Sequence, residues 1–159
     1  MTAVRKVELL VCGDLLRGDD GVGAAVVRGI APDVAEMASV RAVGQLMPDD
    51  LLSQAGPVIV VDAVHGPPPG ELVDVDLAEV QHVADSIVPS SCHALPLPMV
   101  IGIARHLAPG PLEGRFIGVA GREWEIGSDL SPETAAGVGA AAVLVETWIR
   151  QFAAGSVVA

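Results

Sequence analysis

Apolar and polar positions along this chain fall into two kinds of block. Short continuous apolar runs stand between stretches whose apolar positions recur with helical spacing. Val7 to Cys12 reads Val-Glu-Leu-Leu-Val-Cys, the pattern of a buried strand. Gly21 to Ile30 predicts a helix, and Ser39 to Val43 a weak strand. Pro48 to Ala55 predicts a short helix whose proline sits in the first turn, where a missing N–H costs nothing. Val58 to Ala63 (Val-Ile-Val-Val-Asp-Ala) is the clearest strand: β-branched, continuous and ended by polar residues. Glu71 to Leu77 alternates apolar and acidic residues and predicts a half-exposed strand. Pro98 to Ala108 predicts a helix, and Arg115 to Ala120 another buried strand. Ser131-Pro132-Glu133-Thr134 is a helix start with Ser131 as N-cap, and that last helix runs to about Phe152.

Strand and helix in alternation predict an α/β fold, a three-layer α/β/α sandwich around a mostly parallel central sheet of about five strands. Strands this continuously apolar need helices on both faces. No internal repeat or linker divides residues 1–159, so one domain is expected. In such sheets ligands bind beyond the carboxyl ends of the strands. The residues that matter most are then Gly13-Asp14 after the first strand, Asp62 at the end of the third, and Gly121-Arg122-Glu123 after the last.

Composition narrows the chemistry. The 159 residues carry 9 basic and 20 acidic side chains, a net charge of −11. That balance argues against binding a nucleic-acid backbone or an anionic membrane surface. With 51% apolar and 18% charged residues the chain can bury a real core. The mean hydropathy of +0.53 raises the question of a membrane span. The longest apolar stretch, between Glu133 and Glu146, falls short of the roughly 18 residues a span needs. The apolar run before Cys12 is interrupted by Arg5, Lys6 and Glu8, which does not suit a signal peptide. Two cysteines, Cys12 and Cys92, make no disulfide framework, so the cytoplasm is the expected compartment.

The stretch from Gly13 to Gly23, Gly-Asp-Leu-Leu-Arg-Gly-Asp-Asp-Gly-Val-Gly, lies where a nucleotide-binding loop would sit. It is not one. Val11 and Leu16 hold the outer glycine positions of a dinucleotide fingerprint. Gly13 and Gly18 have P-loop spacing, but Asp19 and Asp20 stand where Lys and Ser or Thr belong, and two carboxylates repel a phosphate. The loop has the shape of an anion site and the charge of a cation site. The plainer role for the two acids is to cap the helix and complement its dipole. Asp62 could be an ordinary turn acid, and His93, in Pro89-Ser90-Ser91-Cys92-His93, an ordinary loop residue. Together, Asp20, Asp62 and His93 could make a site of two carboxylates and one imidazole on the sheet's carboxyl edge. That set suits nickel or zinc with coordination positions left open. His65, in a Gly/Pro loop, and His82 and His106, on polar surfaces, are weaker candidates. Cys12 and Cys92 should both lie near the cleft, most simply as small buried apolar groups. No Gly-x-Ser-x-Gly elbow supports serine-hydrolase chemistry.

The Gly13–Gly23 run resembles the N-terminal signature of the nickel–iron hydrogenase maturation endopeptidases, commonly Gly-x-Gly-Asn-x-Leu-x-x-Asp-Asp/Glu-Gly-x-Gly. The second acid of that pair, a metal ligand in the family, falls on Asp20. Val61-Asp62-Ala63, followed by a Gly/Pro turn through Gly70, resembles the segment of the second ligand. Ser91-Cys92-His93 resembles that of the third. Gly121-Arg122-Glu123-Trp124 and Gly127 to Pro132 resemble the closing strand and the last helix start. Val11 replaces the first glycine of the signature, Asp14 its asparagine, and Val43-Gly44-Gln45-Leu46 a Gly-Gly-Thr stretch.

The resemblance implies a cytoplasmic endopeptidase that removes a short C-terminal extension from the precursor of a hydrogenase large subunit after nickel insertion. Asp20, Asp62 and His93 would contact the metal and carry the catalytic role. Nickel would arrive with the substrate rather than rest on the enzyme. The precursor is then the expected partner, with neither nucleic acid nor membrane. Two alternatives remain: a non-catalytic accessory binding module of the same fold in hydrogenase assembly, and a small metal-dependent amidohydrolase or peptidase using the same cleft.

Overall fold

The structure is a computed structural model that describes residues 5–52, 56–80, 88–89 (backbone only), 95–108 and 110–155. Its strands are β1 (Val7–Cys12), β2 (Ala38–Gly44), β3 (Val58–His65), β4 (Leu72–Asp76), β5 (Val88–Pro89) and β6 (Gly114–Ala120). The helices are α1 (Val22–Arg28), α2 (Pro32–Ala35), α3 (Pro48–Leu52), α4 (Leu97–Leu107) and α5 (Pro132–Ala153), with a 3₁₀ turn at Gly18–Gly21 entering α1.

The sheet runs β2-β1-β3-β6-β4. The first three pairings are parallel, and β4 joins β6 antiparallel at the edge. The short β5 pairs antiparallel with the end of β3. Side-chain alternation divides the core in two. Val7, Leu9 and Val11 of β1, with Ile59 and Val61 of β3, pack under α1, α2 and α5. Leu10, Val60, Val64 and Phe116 pack under α3 and α4 on the other face. This is the expected three-layer α/β/α sandwich with a mostly parallel sheet. Both faces of β1 and β3 are covered, which is why their sequences read as unbroken apolar runs.

Four details differ from the sequence reading. Asp62 does not end β3. The strand continues to His65, because Asp62, Ala63 and Val64 still pair with Gly118, Val119 and Ala120 of β6, and Val64 and His65 with β5. His65 therefore ends a strand rather than sitting in a loop. A 3₁₀ turn takes the residues before Val22, so the first helix is shorter than expected. The four-residue α2 and the two-residue β5 have no periodic signature and were not anticipated. Ser131 caps α5 as expected, its Oγ accepting the Thr134 N–H at 3.4 Å. Among the described residues no helix is long and apolar enough to cross a membrane.

Candidate functional site

The carboxyl end of the sheet is built around the loop between β1 and α1. The chain leaves Cys12 and turns at Gly13, whose φ of +101° lies in the region that favours glycine. A Cβ there would stand 1.9 Å from the Asp20 carbonyl oxygen, so the loop closes on itself only because no side chain intervenes. Gly18, at φ +56°, also comes close to a carbonyl, that of Glu123: a Cβ would lie 2.5 Å from it. These two glycines let the loop fold flat against the segment that follows β6.

Backbone hydrogen bonds lace the two segments together. Asp19 N donates to Glu123 O at 2.8 Å, Gly18 N to Ser128 O at 3.1 Å, and Gly127 N to Leu16 O at 2.7 Å. The Asp19 carboxylate completes the clamp. Its Oδ2 accepts the N–H groups of Arg122 (2.8 Å) and Glu123 (2.9 Å) and the Ser131 hydroxyl (2.8 Å), while Oδ1 accepts the Ser131 N–H at 2.7 Å. Asp19 is fully buried. Burial alone would push its carboxyl up. The N–H groups of Arg122, Glu123 and Ser131 and the Ser131 hydroxyl outweigh that cost and hold it below the ordinary 3.8. The plainer helix-capping alternative does not hold for Asp19. Neither the 3₁₀ turn nor α1 has a side-chain cap bond at its start, and this carboxylate ties together backbone more than a hundred residues apart.

Asp20 is also buried, at 6% exposure, but its carboxylate has a different setting: Oδ2 accepts the Asp14 N–H at 2.8 Å. The 3₁₀ turn that carries it packs against β3. Asp62, at 1% exposure, lies on that strand between Val60 and Val64, on the face that packs under α3 and α4. Its Oδ1 accepts the following N–H, of Ala63, at 2.8 Å. Gly118 stands beside Asp62 on β6 and adds no side chain to that face. Cys12, buried at the end of β1, belongs to the same face. Two buried carboxylates are thus set at one edge of the sheet, on elements in contact. Among the described residues no three His, Cys, Asp or Glu side chains gather into a metal-holding group. His93, the third of the expected set, lies outside the described residues, as do Cys92 and His82.

Two residues at this edge were missed as a pair. His65 stacks on Trp124, with ring centroids 3.9 Å apart and planes 27° apart. The stack walls the carboxyl edge between the end of β3 and the segment after β6. A polar residue two positions past an apolar run gives no sequence signal of this contact, because its partner lies 59 residues further along.

Asp14 stands where the resembled signature has asparagine. Its Oδ1 accepts the Leu16 N–H at 2.8 Å, a turn that an amide oxygen makes equally well. Asp14→Asn should therefore melt within about 1–2 °C of the parent, as expected for a surface change of under 0.5 kcal/mol. Asp14→Ala, which loses the acceptor, should fall below both in the same thermal scan.

No protein-family model matches the chain, and no curated protein sequence does either. Solved structures do match. The hydrogenase maturating endopeptidase HybD from Escherichia coli superposes with a TM-score of 0.72 at 22% identity, over 92% of this chain and 93% of that one. The [NiFe] hydrogenase maturation protease HybD from Thermococcus kodakarensis gives 0.69 at 23% identity, over 91% and 99%. A hydrogenase 2 maturation peptidase from a Thaumarchaeota archaeon gives 0.62 at 27% identity, over 91% and 98%. The chain has the fold of these proteases along nearly its whole length. The likeness in fold agrees with the resemblance carried by Gly13–Gly23.

Proposed function

We propose that this chain is a hydrogenase maturation endopeptidase of the nickel–iron class. It acts in the cytoplasm and removes a C-terminal extension from the large-subunit precursor after nickel has been inserted. The observation that carries this reading is the pair of buried aspartates, Asp20 and Asp62, at the carboxyl edge of a sheet whose fold is shared with maturation proteases. Asp19 is committed to the clamp by four donors. Asp20 and Asp62, with His93, offer two hard oxygens and one imidazole to a divalent ion.

In this reading nickel is part of the substrate. Asp20, Asp62 and His93 grip an ion already held by the precursor, and that grip brings the adjoining scissile bond to the cleft, gaining rate by positioning. The Asp19 clamp keeps the loop that carries Asp20 from shifting when the cation arrives. The same three residues supply the groups that accept and return protons as water adds to the peptide carbonyl and the amine leaves.

The test is the mass of the product. Incubated with nickel-loaded large-subunit precursor, the protein should release one C-terminal fragment and leave a single shortened chain by mass spectrometry. A precursor of unchanged mass after prolonged incubation would refute the assignment.

A further inference from the structure

Among the exposed large apolar side chains of the described residues, three lie on the loop after β1 and the segment after β6. Leu15 is 65% exposed, Leu16 68% and Ile126 80%. Leu15 and Leu16 belong to the loop that carries Asp20, and Ile126 to the segment after β6. The Gly127 N–H bond to the Leu16 carbonyl at 2.7 Å sets the two segments side by side. The three exposed side chains therefore sit on neighbouring segments beside the loop that carries Asp20. The loop beneath is held by the Asp19 carboxylate and by the glycine contacts at Gly13 and Gly18, so the surface is presented on a fixed support. Along these segments stand the exposed acids Asp14, Glu125 and Asp129, which outnumber the half-buried Arg17 next to Leu16. The nearby Arg122 is already paired with Glu133 at 3.3 Å.

We propose that Leu15, Leu16 and Ile126 form the docking surface for the precursor protein itself. They would hold a patch of the folded large subunit that bears apolar side chains rimmed by Lys and Arg. The inference rests on the endopeptidase reading and adds to it the surface that selects the substrate. The occupant follows from position and charge. The patch begins two residues from Gly13 and shares its loop with Asp20, so a protein seated on it has its cleavage segment beside the two aspartates. The acidic rim, on a chain of net charge −11, favours a basic counterpart and speeds encounter with it. An apolar centre with a charged rim is the usual anatomy of a specific protein interface.

The experiment measures cleavage kinetics of the nickel-loaded precursor with the wild type, with the triple variant Leu15→Ser/Leu16→Ser/Ile126→Ser, and with Val143→Ser. Val143 is 62% exposed on α5 and serves as a control for loss of exposed apolar surface. The triple variant should raise KM about tenfold or more and leave kcat within about twofold, while Val143→Ser changes neither. Raising salt from about 0.05 to about 0.5 M should raise KM for the wild type and the triple variant alike, because the rim acids are kept in both. A wild type that cleaves and a triple variant with unchanged KM would overturn the docking surface and leave the endopeptidase reading standing. A wild type that does not cleave the loaded precursor would overturn both. Sedimentation showing a wild-type dimer that the triple variant loses would assign the patch to a second copy of this chain and overturn the proposal.

Discussion

Asp19→Ala should be the most destabilising single substitution at the carboxyl edge, lowering stability by about 3–5 kcal/mol. The estimate is the scale of removing one partner from a buried charged network. The loss follows from the donors left behind: the N–H groups of Arg122, Glu123 and Ser131 and the Ser131 hydroxyl would all face a void. For a chain of this size that corresponds to a fall of roughly 6–20 °C in Tm. Asp19→Asn should not rescue it. Oδ2 accepts three donors and Oδ1 a fourth, so an amide nitrogen in either place would point its own hydrogens at donors. Acid should reveal the same network. The folded-state pKa of Asp19 lies below the ordinary 3.8, so its contribution is fully present above that value. It drains away as pH falls from there through the folded pKa. Denaturant melts at descending pH should show the wild type losing stability over that interval, and Asp19→Ala lacking this component.

Asp20→Ala and Asp62→Ala should behave in the opposite way. Each should lower precursor cleavage by about a hundredfold or more, the usual scale for removing a proton-handling group. Neither should lower Tm by more than a few degrees. Asp20 would leave the Asp14 N–H without its acceptor, on a partly exposed loop, at a cost of about 1 kcal/mol. Asp62 is a buried carboxylate on β3, and its removal relieves a desolvation cost as well as removing an acceptor. Its variant should melt within a few degrees of the wild type. A cleavage assay run beside a thermal scan on the same preparations checks both halves. A variant that keeps full cleavage, or one that loses cleavage only because it has unfolded, would contradict the assignment of that residue.

The contrast between two adjacent aspartates shows what the sequence could convey and what it could not. The strands were legible wherever burial on both faces demanded a continuous apolar run, as in Val-Ile-Val-Val and Val-Glu-Leu-Leu-Val. The last helix was legible through its N-cap, Ser131. Asp62 was legible as a candidate because it stood at the carboxyl end of an evident buried strand, where parallel sheets bind ligands. The end of that strand was not, since it depends on pairing with β6 and with the two residues of β5. Likewise, nothing in Gly18-Asp19-Asp20-Gly21 says which of the two buried acids clamps the segment after β6. That is decided by backbone donors at Arg122, Glu123 and Ser131, distant in sequence and near only in the fold. Nothing in Leu15-Leu16 says that both side chains are exposed. Their exposure follows from the glycine turn at Gly13 and the clamp at Asp19, which leave the loop no interior to enter. The resemblance carried by Gly13–Gly23 pointed to this fold because its glycines answer to close backbone approaches, which a short motif can encode.

The central claim is that the carboxylates of Asp20 and Asp62 read a nickel ion brought by the substrate. The most direct measurement is a time course of precursor cleavage, followed by gel mobility, for nickel-loaded and nickel-free precursor side by side. Wild-type protein should shorten the loaded precursor and leave the nickel-free precursor intact, and the Asp20→Ala variant should leave both intact. Equal cleavage of the two precursors by the wild type would contradict the claim.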